Sequence, residues 1–377
     1  MPKIAVNMMV LNGAAVLRRC LLPLEGIVSE IVVVDTGSSD DTLDVLAKVA
    51  LKVGAELRYI PLNPSSDDFF TDEASTWRRC HLPDPFTGRR ICKDWAWARN
   101  LALDATEADY VIKLDADDEP ISSPENWART AAYLDARPEI RLVSAPYEIY
   151  DGRGNLHWLS MYDRMFRRQG ARWVMPFHEY LHGKDARSTI YASGGLRVRD
   201  WRDSPGDGVR VAHRNLKVLL WNWEKGPRPD QPRKTISSDD DLRDDLVERF
   251  TLAHEAAEIF PEFALQMLDY VEAILDPSDV AMLSDCCYHR GRAREALGDA
   301  RWAACWYVAA HEASANVQAL LKLYVLCEAH GEIILDLKPE YQDLGAKILA
   351  MVGNTPVDPV PFNCDLGLVA RVREAKK

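Results

Sequence analysis

The chain has 377 residues, 47% of them apolar and 28% charged, and carries a formal net charge of -12. That length and balance give core enough for two or three folded domains and exclude wholesale disorder. The negative charge repels phosphate backbones and anionic lipid, which disfavours a broad nonspecific nucleic-acid surface and leaves only a local basic groove open.

No apolar run nears the roughly 20 residues of a membrane span. The start, Met1-Pro2-Lys3-Ile4-Ala5-Val6-Asn7, is a short β-like run where a signal peptide carries a longer hydrophobic segment. The expectation is a cytoplasmic protein. Cysteine usage agrees: there is no Cys-x-x-Cys pair, and Cys286, Cys287, Cys305 and Cys327 fall in helical patterns where a small apolar side chain fits. Cys80-His81 with Cys92 matches no common zinc spacing.

In chain order, residues 3–10 read as a short apolar strand and 14–27 as a helix with Leu17, Leu21, Leu24 and Val28 on one stripe. Glu30 to Asp35 is a β-branched run suited to a strand buried on both faces. Thr36-Gly37-Ser38-Ser39-Asp40 supplies a turn and helix-capping side chains; Leu43, Leu46, Ala47, Ala50 and Val53 follow at helical spacing, and 56–60 is a further strand. Strand–helix–strand–helix–strand predicts a parallel sheet with right-handed crossovers. Residues 61–94 break the rhythm with four prolines and little periodicity, and 67–94 reads as a long excursion that is functional, closes as a lid or is passive. Alternation resumes with a helix over 95–105, a buried strand over 110–114, a helix over 124–136, and strands over 142–150, 157–166 and 191–198.

Composition changes near residue 213. The predicted organisation is an α/β domain over 1–212, a Pro-rich linker over 213–237, an all-α region over 238–352 and a tail over 353–377 ordered by docking. Gly291, Gly298, Ala303, Tyr307 and Ala310 fall at offsets 0, 7, 12, 16 and 19, which resembles a tetratricopeptide repeat, and Gly331 follows Gly298 by 33 residues. A short array of helical hairpins is expected, with concave surfaces suited to an extended partner or a second subunit in a homodimer.

The chemistry concentrates at Asp115-Ala116-Asp117, which ends a mostly apolar strand. Side-chain alternation puts both carboxylates on one side, and ligands of open α/β sheets bind at the carboxyl ends of such strands. Paired acids there are costly unless something positive joins them; Mg²⁺ or Mn²⁺, bridging to a diphosphate, is the natural solution. Asp35 also closes a strand, just before a turn that its carboxylate can cap.

These pieces occur in order with Ala98-Arg99-Asn100-Leu101-Ala102-Leu103, Arg164-Met165-Phe166-Arg167 and Phe177-His178-Glu179-Tyr180-Leu181. Together, over residues 3–182, they resemble family 2 glycosyltransferases of the GT-A fold, in particular the subgroup with a C-terminal helical repeat region that includes bacterial peptide S-glycosyltransferases. The resemblance implies a metal-dependent, inverting transferase using a nucleotide-sugar, UDP-sugar first. It implies donor contacts from Asp35, Asn12, Arg99 and Asp115, a metal held by Asp115, Asp117 and His178, and Glu179 as the catalytic base with Asp163 as the second candidate. The family's usual Lys-Asn-Glu reads Leu11-Asn12-Gly13 here, and Asp118 intervenes in the usual Asp-Ala-Asp-Glu. Adjacent side chains of a strand face opposite ways, so His178 and Glu179 both reach one site only if the backbone turns between them.

The acceptor stays open at this point between a peptide or protein, a surface polysaccharide, and modified DNA bases. For the last, Arg197, Arg199, Arg202, Arg210 and Arg214 with Trp201, Trp221 and Trp223 would form a basic aromatic groove. A reading of another class is an inactive GT-A fold serving as a repeat-containing scaffold. A Rossmann dehydrogenase is excluded, because no GxGxxG follows the first strand.

Overall fold

The structure, a computed structural model, describes residues 2–63, 70–71, 91–92, 94–151, 154–175, 177–182, 188–192, 196–202, 215–216, 218–219, 239–333, 337–353 and 364–376. Cys80, His81, Arg210, Arg214, Trp221, Trp223 and most of the expected 67–94 excursion and linker lie outside those residues. The chain divides into two compact units. One holds Met1–Asn155, Ser160–Pro205 and Lys217–Pro232; the other holds Leu156–Leu159, Gly206–Leu216 and Arg233–Lys377.

In the first unit, β1 (Ile4–Val10), β2 (Glu30–Asp35) and β3 (Glu56–Pro61) alternate with α1 (Leu17–Leu21) and α2 (Thr42–Val53). Two short strands, β4 (Phe70–Thr71) and β5 (Ile91–Cys92), pair with each other. Then come α3 (Trp95–Asp104), β6 (Tyr110–Asp115), β7 (Glu119–Pro120), α4 (Pro124–Asp135), β8 (Leu142–Asp151), β9 (Leu156–Arg167), β10 (Trp173–Val174), β11 (Tyr180–Leu181), β12 (Thr189–Tyr191) and β13 (Val198–Arg202). The sheet order is β3-β2-β1-β6-β9-β8-β13-β7, with β12 beside β8 and β10-β11 a separate pair. β3, β2, β1 and β6 run parallel, and β9 returns antiparallel to β6.

The continuous apolar runs are explained by burial on both faces: Ile31, Val32, Val33 and Val34 of β2 have no exposed surface, nor do Val111, Ile112 and Leu114 of β6. Each such side chain contributes about 1.5–3 kcal/mol over an exposed position. Strand register sets where the acids emerge. Val10 of β1 lies opposite Asp35 of β2, and Met9 lies opposite Asp115 of β6. Both acids therefore leave the sheet at the same end, on either side of β1.

The short strands β4, β5, β7, β10 and β11 are not among the expected elements, and two expected elements take another form. The helix over 14–27 is only α1 followed by a 3-10 turn, Leu22–Leu24, because Pro23 has no N–H to continue the helical ladder. The strand over 191–198 is replaced by β12 and β13, with 193–195 between them outside the described residues.

The second unit is helical: α5 (Asp239–Ala256), α6 (Pro261–Ile274), α7 (Val280–Ala296), α8 (Ala300–Ser314), α9 (Val317–Ala329), α10 (Leu344–Val352) and α11 (Leu366–Ala375). The repeat-like small residues act as expected. Ala303, Tyr307 and Ala310 of α8 are buried, and Tyr307 covers Gly291 of α7 so closely that a Cβ there would lie 2.5 Å from Tyr307 Cδ1. Gly298 takes φ +76 in the turn between these helices, and Asp299 caps α8. Cys286, Cys287 and Cys327 are buried as small apolar residues, whereas Cys305 is exposed. No helix among the described residues is long and apolar enough to cross a membrane.

Candidate functional site

Helix α3 approaches the sheet on small residues: Ala98 and Ala102 pack against Val32 and Val34. Asp94 fixes its start by accepting from Trp97 N–H at 2.8 Å, and Asn7 of β1 donates to the Arg99 carbonyl at 3.3 Å. Arg99 is thereby held inside the fold, 2% exposed, with its guanidinium at the carboxyl end of β6. Nη2 donates to Asp115 Oδ1 at 2.6 Å, and Nε donates to Glu179 Oε1.

Glu179 arrives from the segment between β10 and β11. Asn100 anchors β10 with two bonds to the Trp173 backbone, each 2.9 Å, and in the segment itself Phe177 meets Trp95 edge-on at 4.9 Å. The backbone does turn where the alternation argument requires: His178 takes φ +56. Its ring stacks edge-on against Phe177 at 4.6 Å. The Glu179 side chain is 6% exposed. Oε1 faces Arg99 and, at 3.9 Å, Lys113 Nζ, while Oε2 accepts no hydrogen bond among the described residues.

Asp115 is the open member of this cluster, with 42% of its side chain exposed. Burial pushes its carboxyl up, but Lys113, Arg99 and Arg164 outweigh that and hold it well below the usual carboxylate range. Glu179 is lowered in the same way: burial raises it, and Arg99 and Lys113 win. Both acids stay ionised at neutral pH. Burial pushes the Lys113 ammonium down from its ordinary value, partly offset by Asp115.

The acid that intrudes on the family pattern has a structural use. Asp118 is fully buried; its Oδ2 accepts the Asp115 backbone N–H at 2.9 Å and pairs with Arg164 Nη1 at 2.6 Å. Arg164 also donates to the Lys113 carbonyl at 3.2 Å and lies over the Tyr147 ring at 4.6 Å. This pair clamps the acidic turn to β9. Arg19 of α1 adds a bond to the Asp117 carbonyl at 3.1 Å. Asp117 itself is exposed; the protein mass around it, then the charges of Asp115, Asp118 and Asp200, push its carboxyl up to about 6.

Across β1, Asp35 is 1% exposed. Its Oδ1 accepts the N–H groups of Gly37 at 2.8 Å and Ser38 at 2.7 Å, and its Oδ2 accepts Tyr59 O–H at 2.7 Å. Asp35 thus shapes the turn after β2. Asn12 takes φ +52, and its Oδ1 accepts Ser39 N–H at 2.8 Å, tying the turns after β1 and β2 together.

The structure therefore brings Arg99, Asp115 and Glu179 into one ion-paired cluster, with Asp117 following Asp115 in the same turn. Asp163 is not in it: its Oδ1 accepts the Ser144 hydroxyl at 2.6 Å, and its neighbour Arg164 is the β9 side chain turned toward Asp118. Among the described residues no group of three or more His, Cys, Asp or Glu is spaced to hold a metal ion, so His178 does not complete a three-residue set with Asp115 and Asp117. Two carboxylates are nonetheless the protein share that Mg²⁺ or Mn²⁺ takes when phosphate oxygens supply the rest. The crowding that raises Asp117, together with a buried Asp118 Oδ1 lacking a hydrogen-bond partner, is an excess of negative charge that a cation fits. Asp115 and Asp117 are the residues that would hold it. Of the arginines of the expected basic groove, Arg197 pairs with Glu148 at 2.6 Å and Arg199 lies over Tyr150 at 4.6 Å.

Sequence reasoning missed Lys113, Asp118, Arg164 and Tyr59 as site-building groups. The signal was present for Lys113, the single charge inside the apolar β6 run at the period-two position before Asp115. Asp118 has one local bond, to the Asp115 N–H three positions back, but the Tyr59–Asp35 and Arg164–Asp118 pairs have no local signal, because their members lie 24 and 46 positions apart.

No family model matches the chain. A TPR repeat-containing protein of Synechococcus elongatus is 29% identical over 182 residues, 48% of this chain; the chain spans 36% of that relative's length. Among solved structures, Staphylococcus aureus TarS (residues 1–349) in complex with UDP-GlcNAc aligns over 99% of this chain and 91% of its own, at 15% identity and TM-score 0.37. Glucosyl-3-phosphoglycerate synthase of Mycobacterium tuberculosis, in complex with Mn²⁺, UDP and glucosyl-3-phosphoglycerate, aligns over 59% and 79%, at 16% identity and TM-score 0.32. Likeness at that level establishes no activity.

Proposed function

We propose that this chain is a glycosyltransferase with a GT-A-like domain that moves a sugar from a nucleotide-sugar donor to an acceptor. The observation that carries the reading is the Arg99 guanidinium joining Glu179 to Asp115 at the carboxyl end of β6, with Asp117 beside them. Strand ends of this kind are where open α/β sheets bind nucleotides. In the transfer, the acceptor's nucleophilic atom bonds to the anomeric carbon while the bond from that carbon to the diphosphate oxygen breaks. The electron pair leaves with the diphosphate, and the acceptor proton goes to Glu179. Arg99 and Lys113 fix Glu179 through Oε1, which leaves Oε2 to take the proton. Because its charged form is favoured, Glu179 is a weak base, and proton transfer accompanies attack rather than preceding it. Asp115 and Asp117 would hold a divalent cation, which when bound would offset the charge of the departing diphosphate. Inversion at the anomeric carbon follows from a base and a leaving group on opposite faces of the sugar.

The acceptor class we assign is a peptide or protein. The support is the close-packed α7–α8 hairpin, a repeat geometry that presents extended surfaces to extended partners.

A thermal-shift screen of UDP-, GDP-, dTDP- and CMP-sugars with Mn²⁺ tests the reading, because a ligand that binds only the native state raises its melting temperature. One nucleotide class should raise it; no shift with any of them removes the proposal. Asp117→Ala should abolish the Mn²⁺-dependent part of the shift. Glu179→Gln should keep donor affinity and lower turnover by on the order of 10²–10⁴; if Asp163→Asn does so instead, the base is Asp163.

A further inference from the structure

Lys113 stands in the middle of β6, between side chains that are otherwise apolar and buried. It is 8% exposed, and its ammonium lies 3.9 Å from both Asp115 Oδ2 and Glu179 Oε1, outside hydrogen-bond range of either. The Trp173 ring lies 5.9 Å away on another side. A counter-ion whose whole purpose was to neutralise the two acids would close to about 2.7–2.9 Å. Arg99 does so, at 2.6 Å from Asp115. Lys113 stands back from both acids, and its nitrogen, unlike Arg99 Nη1, is not sealed from solvent. A lysine ammonium carries three donors, and here none has an acceptor in range among the described residues.

The charges around it leave a carboxylate in excess, so an anion gains here from Lys113 as a specific donor and not from the net field. Arg99 and Lys113 balance Asp115 and Glu179, and Arg164 balances Asp118. Asp117, exposed in the same turn, lies outside these pairs and would repel an incoming anion. Of the three cations, Arg99 and Arg164 are spent on 2.6 Å carboxylate bonds. Arg99 Nη1 and Arg164 Nε are unpartnered as well but sealed from solvent, so among the described residues of this cluster Lys113 is the cation whose free donors a ligand can reach.

We propose that Lys113 is an anion-binding residue of this site, whose ammonium hydrogen-bonds a phosphoryl oxygen of a nucleoside diphosphate. The inference rests on the glycosyl-transfer reading above and deepens it. It makes Lys113 a contact to the diphosphate that persists without metal, so part of donor affinity survives chelation.

The test is isothermal titration of UDP and of inorganic pyrophosphate, in EDTA, into wild type, Lys113→Met and Lys113→Arg, with Mn²⁺ binding followed separately by electron paramagnetic resonance. Lys113→Met should weaken UDP and pyrophosphate by about ten- to hundredfold, the loss of one charged hydrogen bond, and Lys113→Arg should recover most of it. Mn²⁺ alone should bind Lys113→Met as tightly as wild type or tighter, because a repelling cation beside Asp115 is gone. Opposite effects on anion and cation separate loss of a ligand contact from general damage, which weakens both. If Lys113→Met melts early, Lys113→Gln carries the same comparison. Unchanged UDP affinity in Lys113→Met, or parallel loss of UDP and Mn²⁺, overturns the role of Lys113 and leaves the transferase reading standing. A wild type that binds neither UDP nor pyrophosphate with or without Mn²⁺ overturns both.

Discussion

Each unit of this molecule holds a cluster of buried polar and charged side chains, and the hydrogen-bonding states of the two clusters differ. In the sheet unit, Arg99, Lys113, Asp118 and Glu179 lie behind the exposed Asp115 and Asp117, and several of their atoms are left over: Lys113 Nζ, Arg99 Nη1 and Asp118 Oδ1 have no hydrogen-bond partner among the described residues. In the helical unit, the buried His289 uses both ring nitrogens. Nδ1 faces Arg292 Nη1 at 3.0 Å and Nε2 faces His254 Nδ1 at 3.1 Å. Arginine only donates, so the ring proton belongs on Nε2 and points at His254. Arg292 continues to Glu258 at 3.0 Å, and the rings of Phe250 and Tyr288 enclose the imidazole. Saturated groups of this kind hold a fold together. Buried groups with unspent capacity cost free energy, and a bound ligand is what recovers it. This separates the two clusters where residue type alone would not, since both are rich in Arg and Glu.

The contrast breaks first at arginine. Arg99→Met strands Asp115 and the buried Glu179 and should destabilise by about 3–5 kcal/mol, read as a lower urea midpoint. Arg292→Met leaves a neutral histidine and a half-exposed Glu258, and should cost about 1 kcal/mol. Equal losses would show that the two clusters carry charge in the same way.

Packing gives the next largest effect. Gly291→Ala forces a Cβ into the Tyr307 ring and should cost about 1–3 kcal/mol. The loss should appear as faster hydrogen exchange in α7 and α8, with protection of β1, β2 and β6 unchanged. A neutral Gly291→Ala would mean that the hairpin is loosely packed and the repeat-like spacing incidental.

Acid gives the smallest and most selective effect. Burial, then the neighbouring His254 and Arg292, push the His289 imidazole well below its ordinary value near 6.5. The unfolded chain therefore binds a proton that the folded chain refuses. Stability is intact above about pH 6.5 and falls as pH drops below it. Glu258 and Glu255 lie beside His254, and neither is among the charges that act on His289. Hydrogen exchange in α5 and α7 should speed up between pH 7 and 5, and His289→Phe should flatten that dependence. A pH-independent α7 would sink this account of the cluster.

Much of the sheet unit was legible because its signals are local. A β-branched run such as Ile31 to Val34 admits little besides a strand covered on both faces, and Asp115 and Asp117 mark the carboxyl end of β6 by position alone. The Gly291–Tyr307 spacing likewise gave the α7–α8 hairpin, because close helix packing demands small residues at fixed offsets. Pro23 shows the limit within local reasoning: the apolar stripe outvoted the proline in the sequence pattern, and the missing N–H won in the fold. Asp35 shows another. Its position was clear, but whether its oxygens faced a ligand or the turn depended on Gly37, Ser38 and Tyr59 closing around it.

By itself the sequence determined the order of strands and helices, the break in composition near 213, and the strand end where acids would gather; all of these follow from periods of 2 and 3.6 residues and from turn chemistry. The tertiary structure decided which charges meet. Arg99 reaches Asp115 across 16 positions and Glu179 across 80, Arg164 reaches Asp118 across 46, and His178 turns into a left-handed conformation that delivers Glu179 to the cluster. No periodicity encodes such pairings. They arise when strands far apart in the chain settle into register and leave oppositely charged groups together at low dielectric, where an unpaired charge is too costly to keep.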